Sequence, residues 1–140
     1  MYKHILFIED ELYIAELYAQ VLQTNKYKVT IIGDGTKGLA EAQTGKYDLI
    51  LLDLMLPNTS GMDILRALRD PVRSPKVATD TDIVVLTNLD DGYETRKEIQ
   101  ELAQAYLLKV EITPKQLVKV IRDMERPILS AQKAWTSARL

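Results

Sequence analysis

Short apolar runs, each stopped by a polar residue, constrain this chain more than any other feature. Ile5-Leu6-Phe7-Ile8 runs into Glu9 and Asp10, and Leu49-Ile50-Leu51-Leu52 runs into Asp53. Ile83-Val84-Val85-Leu86 ends at Thr87, and Ala105-Tyr106-Leu107-Leu108 ends at Lys109. A fifth run, Val29-Thr30-Ile31-Ile32, leads into Gly33-Asp34-Gly35, which reads as a turn. A continuous run has no polar face to offer water, so these segments fit strands covered on both sides, as parallel sheets provide.

The segments between the runs carry helical spacing. Leu12, Ala15, Leu17, Ala19 and Leu22 make one apolar face, and Leu39, Ala40 and Ala42 mark a shorter second helix. Ser60, three residues before Asp63, is placed to cap a third helix carrying Ile64, Leu65 and Leu68. A fourth helix covers about residues 91–103. Thr113-Pro114-Lys115-Gln116 reads as an N-cap, a first-position proline and a capping-box partner for a fifth. Strand and helix alternate five times, which predicts an α/β domain with a parallel sheet and right-handed crossovers. Residues 70–82, with Pro71 and Pro75, read as a long polar loop. Pro127 ends or kinks the fifth helix, and Ile128, Ala131, Trp135 and Ala138 recur behind it at roughly helical spacing. The expected division is a domain over 1–126 and a C-terminal tail over 127–140.

Composition then narrows the chemistry. The 140 residues carry 18 Lys plus Arg against 20 Asp plus Glu, a net charge of −2, so there is no electrostatic footprint for nucleic acid or an anionic membrane. Without cysteine, and with His4 as the single histidine, thiolate metal sites, a multi-histidine zinc site and a Ser-His relay are set aside. Apolar runs of four residues are far short of the roughly 20 a membrane-spanning helix needs. A cytoplasmic location is the expectation. His4 is read as a surface residue before the first strand.

In open parallel sheets, ligands sit outside the carboxyl ends of the strands. Four strands bring Glu9 and Asp10, Asp53, Thr87 and Lys109 to that edge. Each alone has an ordinary explanation: Asp10 as a cap of the first helix, Asp53 as a loop carboxylate, Thr87 as a β-branched strand end. Together they are harder to explain away. Carboxylates about 4 Å apart repel by roughly 4 kcal/mol per pair at an effective dielectric near 20. One lysine does not cancel three of them, whereas a hard divalent cation does, and an all-oxygen ligand set suits Mg²⁺. A carboxylate beside Mg²⁺, a lysine and a hydroxyl is also suited to accepting a phosphoryl group.

These residues, with Asp53-Leu54-Met55-Leu56-Pro57 and Ser60-Gly61-Met62-Asp63, resemble the receiver domain of bacterial two-component response regulators. The resemblance runs from about Tyr2 to Arg126. It implies a five-stranded doubly wound sheet in the flavodoxin-like order 2-1-3-4-5 with five helices. It implies Asp53 as phosphoacceptor, with Lys109 paired to the phosphoryl oxygens. Glu9, Asp10, Asp53 and the backbone carbonyl of Met55 would hold Mg²⁺. Thr87 and Tyr106 would form the switch, signalling through the face built from the fourth helix, fifth strand and fifth helix. The implied function is a phosphorylation-dependent signalling switch, a phosphoacceptor that catalyses its own phosphotransfer and dephosphorylation rather than an enzyme acting on other molecules. A histidine kinase or phosphotransfer protein would be the donor and a protein the downstream target.

Charges on the last two helices (Glu94, Arg96, Lys97, Glu101, Lys119, Arg122, Asp123) suit a two-fold contact between copies. The 13 residues after Pro127 are too few for a DNA-binding domain, so direct nucleic-acid contact is not expected.

Several positions depart from the receiver pattern. Val110 stands where proline, joined by a cis bond, usually follows the lysine. Asn88 stands where a small residue usually follows the hydroxyl. Leu102 stands where glycine is frequent, and the 70–82 loop is long. A receiver-fold interaction module that works without phosphorylation is therefore the alternative. A metal-dependent phosphohydrolase fits less well, because Met55 stands where its general acid would be.

Overall fold

The computed structural model describes residues 1–88 and 92–125, with Tyr93 described in its backbone only. The expectations for the start of the fourth helix at Asp91 and for the tail after Pro127, including Trp135, lie outside the described residues. Five strands and five α-helices alternate: β1 (His4–Ile8), α1 (Leu12–Thr24), β2 (Lys28–Ile32), α2 (Gly35–Ala42), β3 (Leu49–Leu52), α3 (Gly61–Arg69), β4 (Asp82–Thr87), α4 (Tyr93–Leu102), β5 (Ala105–Leu108) and α5 (Pro114–Met124). All pairings are parallel and the strand order is 2-1-3-4-5, as expected.

Because successive strand residues face opposite ways, each apolar run feeds two cores. Ile5, Phe7, Leu49, Leu51, Val84, Leu86 and Leu107 pack with Ala15, Tyr18 and Leu22 of α1 and Leu117, Val118 and Ile121 of α5. Leu6, Ile8, Ile50, Leu52, Ile83, Val85 and Tyr106 face Ala42 of α2, Ile64, Leu65 and Leu68 of α3, and Ile99 of α4. The exception is β2, an edge strand that is only half-buried along its length.

The caps at Ser60 and Thr113 form as expected. Ser60 accepts from the Asp63 N–H at 3.2 Å, and Thr113 and Gln116 make both bonds of a capping box. Other local readings are corrected. Asp10 does not cap α1; Glu11 occupies the N-cap without a side-chain bond. Asp34 caps α2 through the Lys37 N–H at 2.8 Å, so Gly33-Asp34-Gly35 is a helix entry and α2 starts before Leu39. His4 belongs to β1, where its Nε2 lies 2.7 Å from the Thr30 hydroxyl and its ring meets Tyr47 edge-on.

The 70–82 loop is not simply polar. Ser74, Val77 and Thr81 are buried in it. Arg69 ties the loop down by donating to the Thr81 carbonyl at 2.7 Å, the Leu102 carbonyl at 2.7 Å and Gln104 Oε1 at 3.0 Å. No helix among the described residues is long and apolar enough to cross a membrane.

Candidate functional site

The sheet ladder runs one residue past β1 and β3. The Glu9 N–H donates to the Ile32 carbonyl at 3.0 Å, and the Asp53 N–H donates to the Ile8 carbonyl at 3.1 Å. These bonds hold the two acidic residues side by side at the carboxyl edge of the sheet. Asp10 follows at the start of the loop into α1. One oxygen from each of Glu9, Asp10 and Asp53 lies within 4.8 Å of the others. Lys109, directly after β5, reaches across with its Nζ, donating to Glu9 Oε1 and, at 2.9 Å, to Asp53 Oδ2. Thr87 ends β4 and is fully buried. Thus every candidate from the strand ends arrives at one place.

The charges are out of water: relative exposure is 0% for Glu9, 2% for Asp53 and 6% for the Lys109 side chain. Burial pushes the Glu9 carboxyl well above its ordinary value, and a hydrogen bond shared with Asp53 adds to this, against the pull of Lys109. Burial also acts to raise Asp53, but hydrogen bonds with Glu9, Lys109, Thr87 and the Met55 N–H outweigh it and hold Asp53 below its ordinary value. At Lys109 burial opposes the charge, and the bonds to Glu9 and Asp53 reverse that, leaving its value raised. The two neighbouring carboxyls thus shift in opposite directions, Glu9 up and Asp53 down. The three carboxyl groups of Glu9, Asp10 and Asp53 form an all-oxygen donor set, and such a set fits a hard cation such as Mg²⁺.

The loop after β3 is shaped around Asp53. The Met55 N–H donates to Asp53 Oδ1 at 3.1 Å, while the Met55 side chain stays exposed. The first residue of α3, Gly61, donates to the Leu54 carbonyl at 3.1 Å. A Cβ there would lie 2.3 Å from Leu54 Cα and 2.5 Å from the Asp53 carbonyl oxygen. Only glycine lets α3 press this closely on the acidic residue's own backbone. Tyr106 is buried beneath the α4 side of the sheet, with the Arg96 guanidinium 5.6 Å from its ring centre.

The Lys109–Val110 bond is trans, since no described peptide bond is cis, and Lys109–Glu111 forms a single 3₁₀ turn. The sequence reading missed what Gly61 does within its motif. It also missed that the Asn88 side chain accepts from the Val110 N–H at 3.1 Å. The signal for the latter was present as two unusual residues, but nothing in the sequence said that they meet.

Known proteins share this arrangement. The chain matches the response regulator receiver domain family over residues 5–122. It is 34% identical over 122 residues to the DNA-binding response regulator MtrA of Mycolicibacterium paratuberculosis, covering 87% of this chain and 51% of that protein. It is 37% identical over 105 residues to the response regulator ArlR of Staphylococcus saprophyticus, covering 75% of this chain and 44% of that one. The chain thus spans about half the length of these relatives. Among solved structures, the BeF3-activated N-terminal receiver domain of Klebsiella pneumoniae RstA superposes with a TM-score of 0.73 at 30% identity, covering 86% of this chain and 96% of that one. A CheY-like receiver from Methanospirillum hungatei shares the fold with a TM-score of 0.75 at 23% identity, covering 94% and 97%. With a parallel 2-1-3-4-5 sheet, an acidic cluster and a lysine gathered at its carboxyl edge, and a family match across nearly all of its described length, this chain belongs to the response regulator receiver domain family of two-component systems.

Proposed function

We propose that Asp53 is the phosphoacceptor of a signalling switch, and that the domain itself promotes the transfer. The observation that carries this is the setting of the Asp53 carboxyl: buried at the carboxyl edge of the sheet, bonded to Lys109 and to the Met55 N–H, and beside the carboxyl groups of Glu9 and Asp10. In the step, an Asp53 carboxylate oxygen attacks phosphorus, the bond from phosphorus to the donor's nitrogen breaks, and an acyl phosphate forms. Lys109 donates to a phosphoryl oxygen and offsets its charge. Thr87, already within hydrogen-bonding range of Asp53, supplies a hydroxyl to the same group. Glu9, Asp10, Asp53 and the Met55 carbonyl are the residues that would hold Mg²⁺, which when bound supplies positive charge against the phosphoryl oxygens.

The donor would be a phosphohistidine on a kinase or phosphotransfer protein, and the target a protein that reads the α4–β5–α5 face. Tyr106 fits a switch on that face, since it sits on β5 with Arg96 of α4 over its ring. A phosphorylation-independent docking module is not favoured. Burying two acids and a lysine, with a third acid at the rim, costs stability that a docking surface has no need to spend.

The test is intact mass after incubation with Mg²⁺ and acetyl phosphate. The parent should gain one phosphoryl group, and Asp53→Asn, which keeps the side chain's shape, should gain none while remaining folded. Undiminished labelling of that variant removes the assignment.

A further inference from the structure

Two loops carry the groups that would touch the phosphoryl oxygens: one leaves β4 at Thr87, the other leaves β5 into Lys109. Immediately outside each group stands a residue of unusual type, Asn88 and Val110, and the two are joined. The Val110 N–H donates to Asn88 Oδ1 at 3.1 Å across 22 residues of sequence. Both partners are specific. Only a residue with a backbone N–H can donate at 110, and only an acceptor side chain of about this reach can receive at 88. Proline at 110 or alanine at 88, the residues more usual at these places, would each abolish the contact.

Beyond the bonds of the Lys109 ammonium to Glu9 and Asp53, the segment they join lies open to solvent. Val110 is 79% exposed, and below the loop lies a cleft of about 280 Å³ between Ile14, Leu17 and Pro114. On its far side the loop is fastened to α1, where the Tyr18 hydroxyl donates to the Ile112 carbonyl at 3.0 Å. The near side, next to the lysine, has the Asn88 bond.

We propose that Asn88 is a positioning residue: through Val110 it holds the Lys109 loop in register with Thr87, so that the ammonium and the hydroxyl reach the phosphoryl group as one unit. This rests on the phosphoacceptor reading of Asp53. It follows that a displacement of Thr87 on phosphorylation carries Asn88, and with it the start of the 3₁₀ turn.

The test combines Asn88→Ala, Val110→Pro and the double variant. In the unphosphorylated protein, hydrogen exchange at the Val110 amide should rise roughly five- to tenfold in Asn88→Ala, the change expected for one hydrogen bond. Exchange at β4 and β5 amides should not change. Labelling by acetyl phosphate with Mg²⁺ should slow by about three- to tenfold in each single variant, and the double should be no slower than the slower single, because the same bond is lost in all three. Losses that multiply in the double variant overturn the proposal, as does labelling at the parent rate in Asn88→Ala. Unchanged Val110 exchange in Asn88→Ala, in a parent that takes the label, overturns the clip alone. A parent that takes no label fails the Asp53 reading first and the positioning role with it.

Discussion

The two edges of the sheet bury polar groups in opposite ways. At the amino edge, carboxylates meet neutral donors. The Tyr2 hydroxyl donates to Asp82 and the Tyr27 hydroxyl to Glu125, while the Tyr2 N–H also reaches Glu125 at 2.9 Å. Beside them Arg69 spends its guanidinium on backbone carbonyls and Gln104, and Gln104 Oε1 in turn accepts from the Ile83 N–H at 2.7 Å. At the carboxyl edge, Glu9 and Asp53 share the ammonium of Lys109, and Asp10 stands beside them, exposed. The first edge is saturated and holds elements together. The second gathers three carboxyl groups against one lysine, an imbalance that a cation or transferred group would address. A buried arrangement that is incomplete by itself is one that ligands can complete.

If that contrast is right, the edges respond differently to the loss of a cation. Arg69→Met should be the most damaging change, because several buried carbonyl acceptors lose their donor at once. Urea unfolding should report a loss of about 3–5 kcal/mol, with the folded fraction still labelled at the parent rate. A loss below about 1 kcal/mol would mean that the amino edge is not the anchor. Lys109→Met removes the cation of the other edge and should act on chemistry. We expect labelling by acetyl phosphate to slow by about a hundredfold, or ~2.7 kcal/mol of barrier. An unchanged rate would show that the lysine only offsets resting charge.

The smallest effect tests the tyrosine–carboxylate pairs. Burial, with help from Glu125, pushes the Tyr27 hydroxyl up to about 12 from an ordinary 10. A raised folded value means that the pair's contribution is fully present below pH 10 and is lost as pH rises from 10 through 12. Because the pair borders solvent, that contribution is only about 1 kcal/mol. Urea midpoints at pH 9 and pH 11 should therefore fall less in Tyr27→Phe than in the parent. Equal falls would separate this pair from the stability of the amino edge.

Much of the carboxyl edge was legible in the sequence, because a parallel strand delivers whatever follows it to that edge. Reading the residue after each apolar run was enough to collect Glu9, Asp10, Asp53, Thr87 and Lys109. The amino edge was not legible. Tyr2, Tyr27 and Arg69 carry no local signature, and their partners lie as far as 123 residues away for Tyr2, 98 for Tyr27 and 35 for Arg69. Arg69 looks like any basic residue in a last helical turn, and the tyrosines look like packing.

What the sequence determined by itself were properties set by near neighbours: the apolar runs that must be covered on both sides, the Ser60 and Thr113 caps, and the residue types placed at the strand ends. The strand order came from resemblance, not from periodicity. Tertiary structure alone decided that β2 is a half-buried edge, that Gly61 admits no Cβ against the Asp53–Leu54 backbone, and that Asn88 meets Val110. It also decided that the neighbouring carboxyls shift in opposite directions, Glu9 up and Asp53 down. The physical reason is the same in each case. Burial, close approach and the coupling of charges depend on distances between segments, and a chain acquires those distances only when it packs.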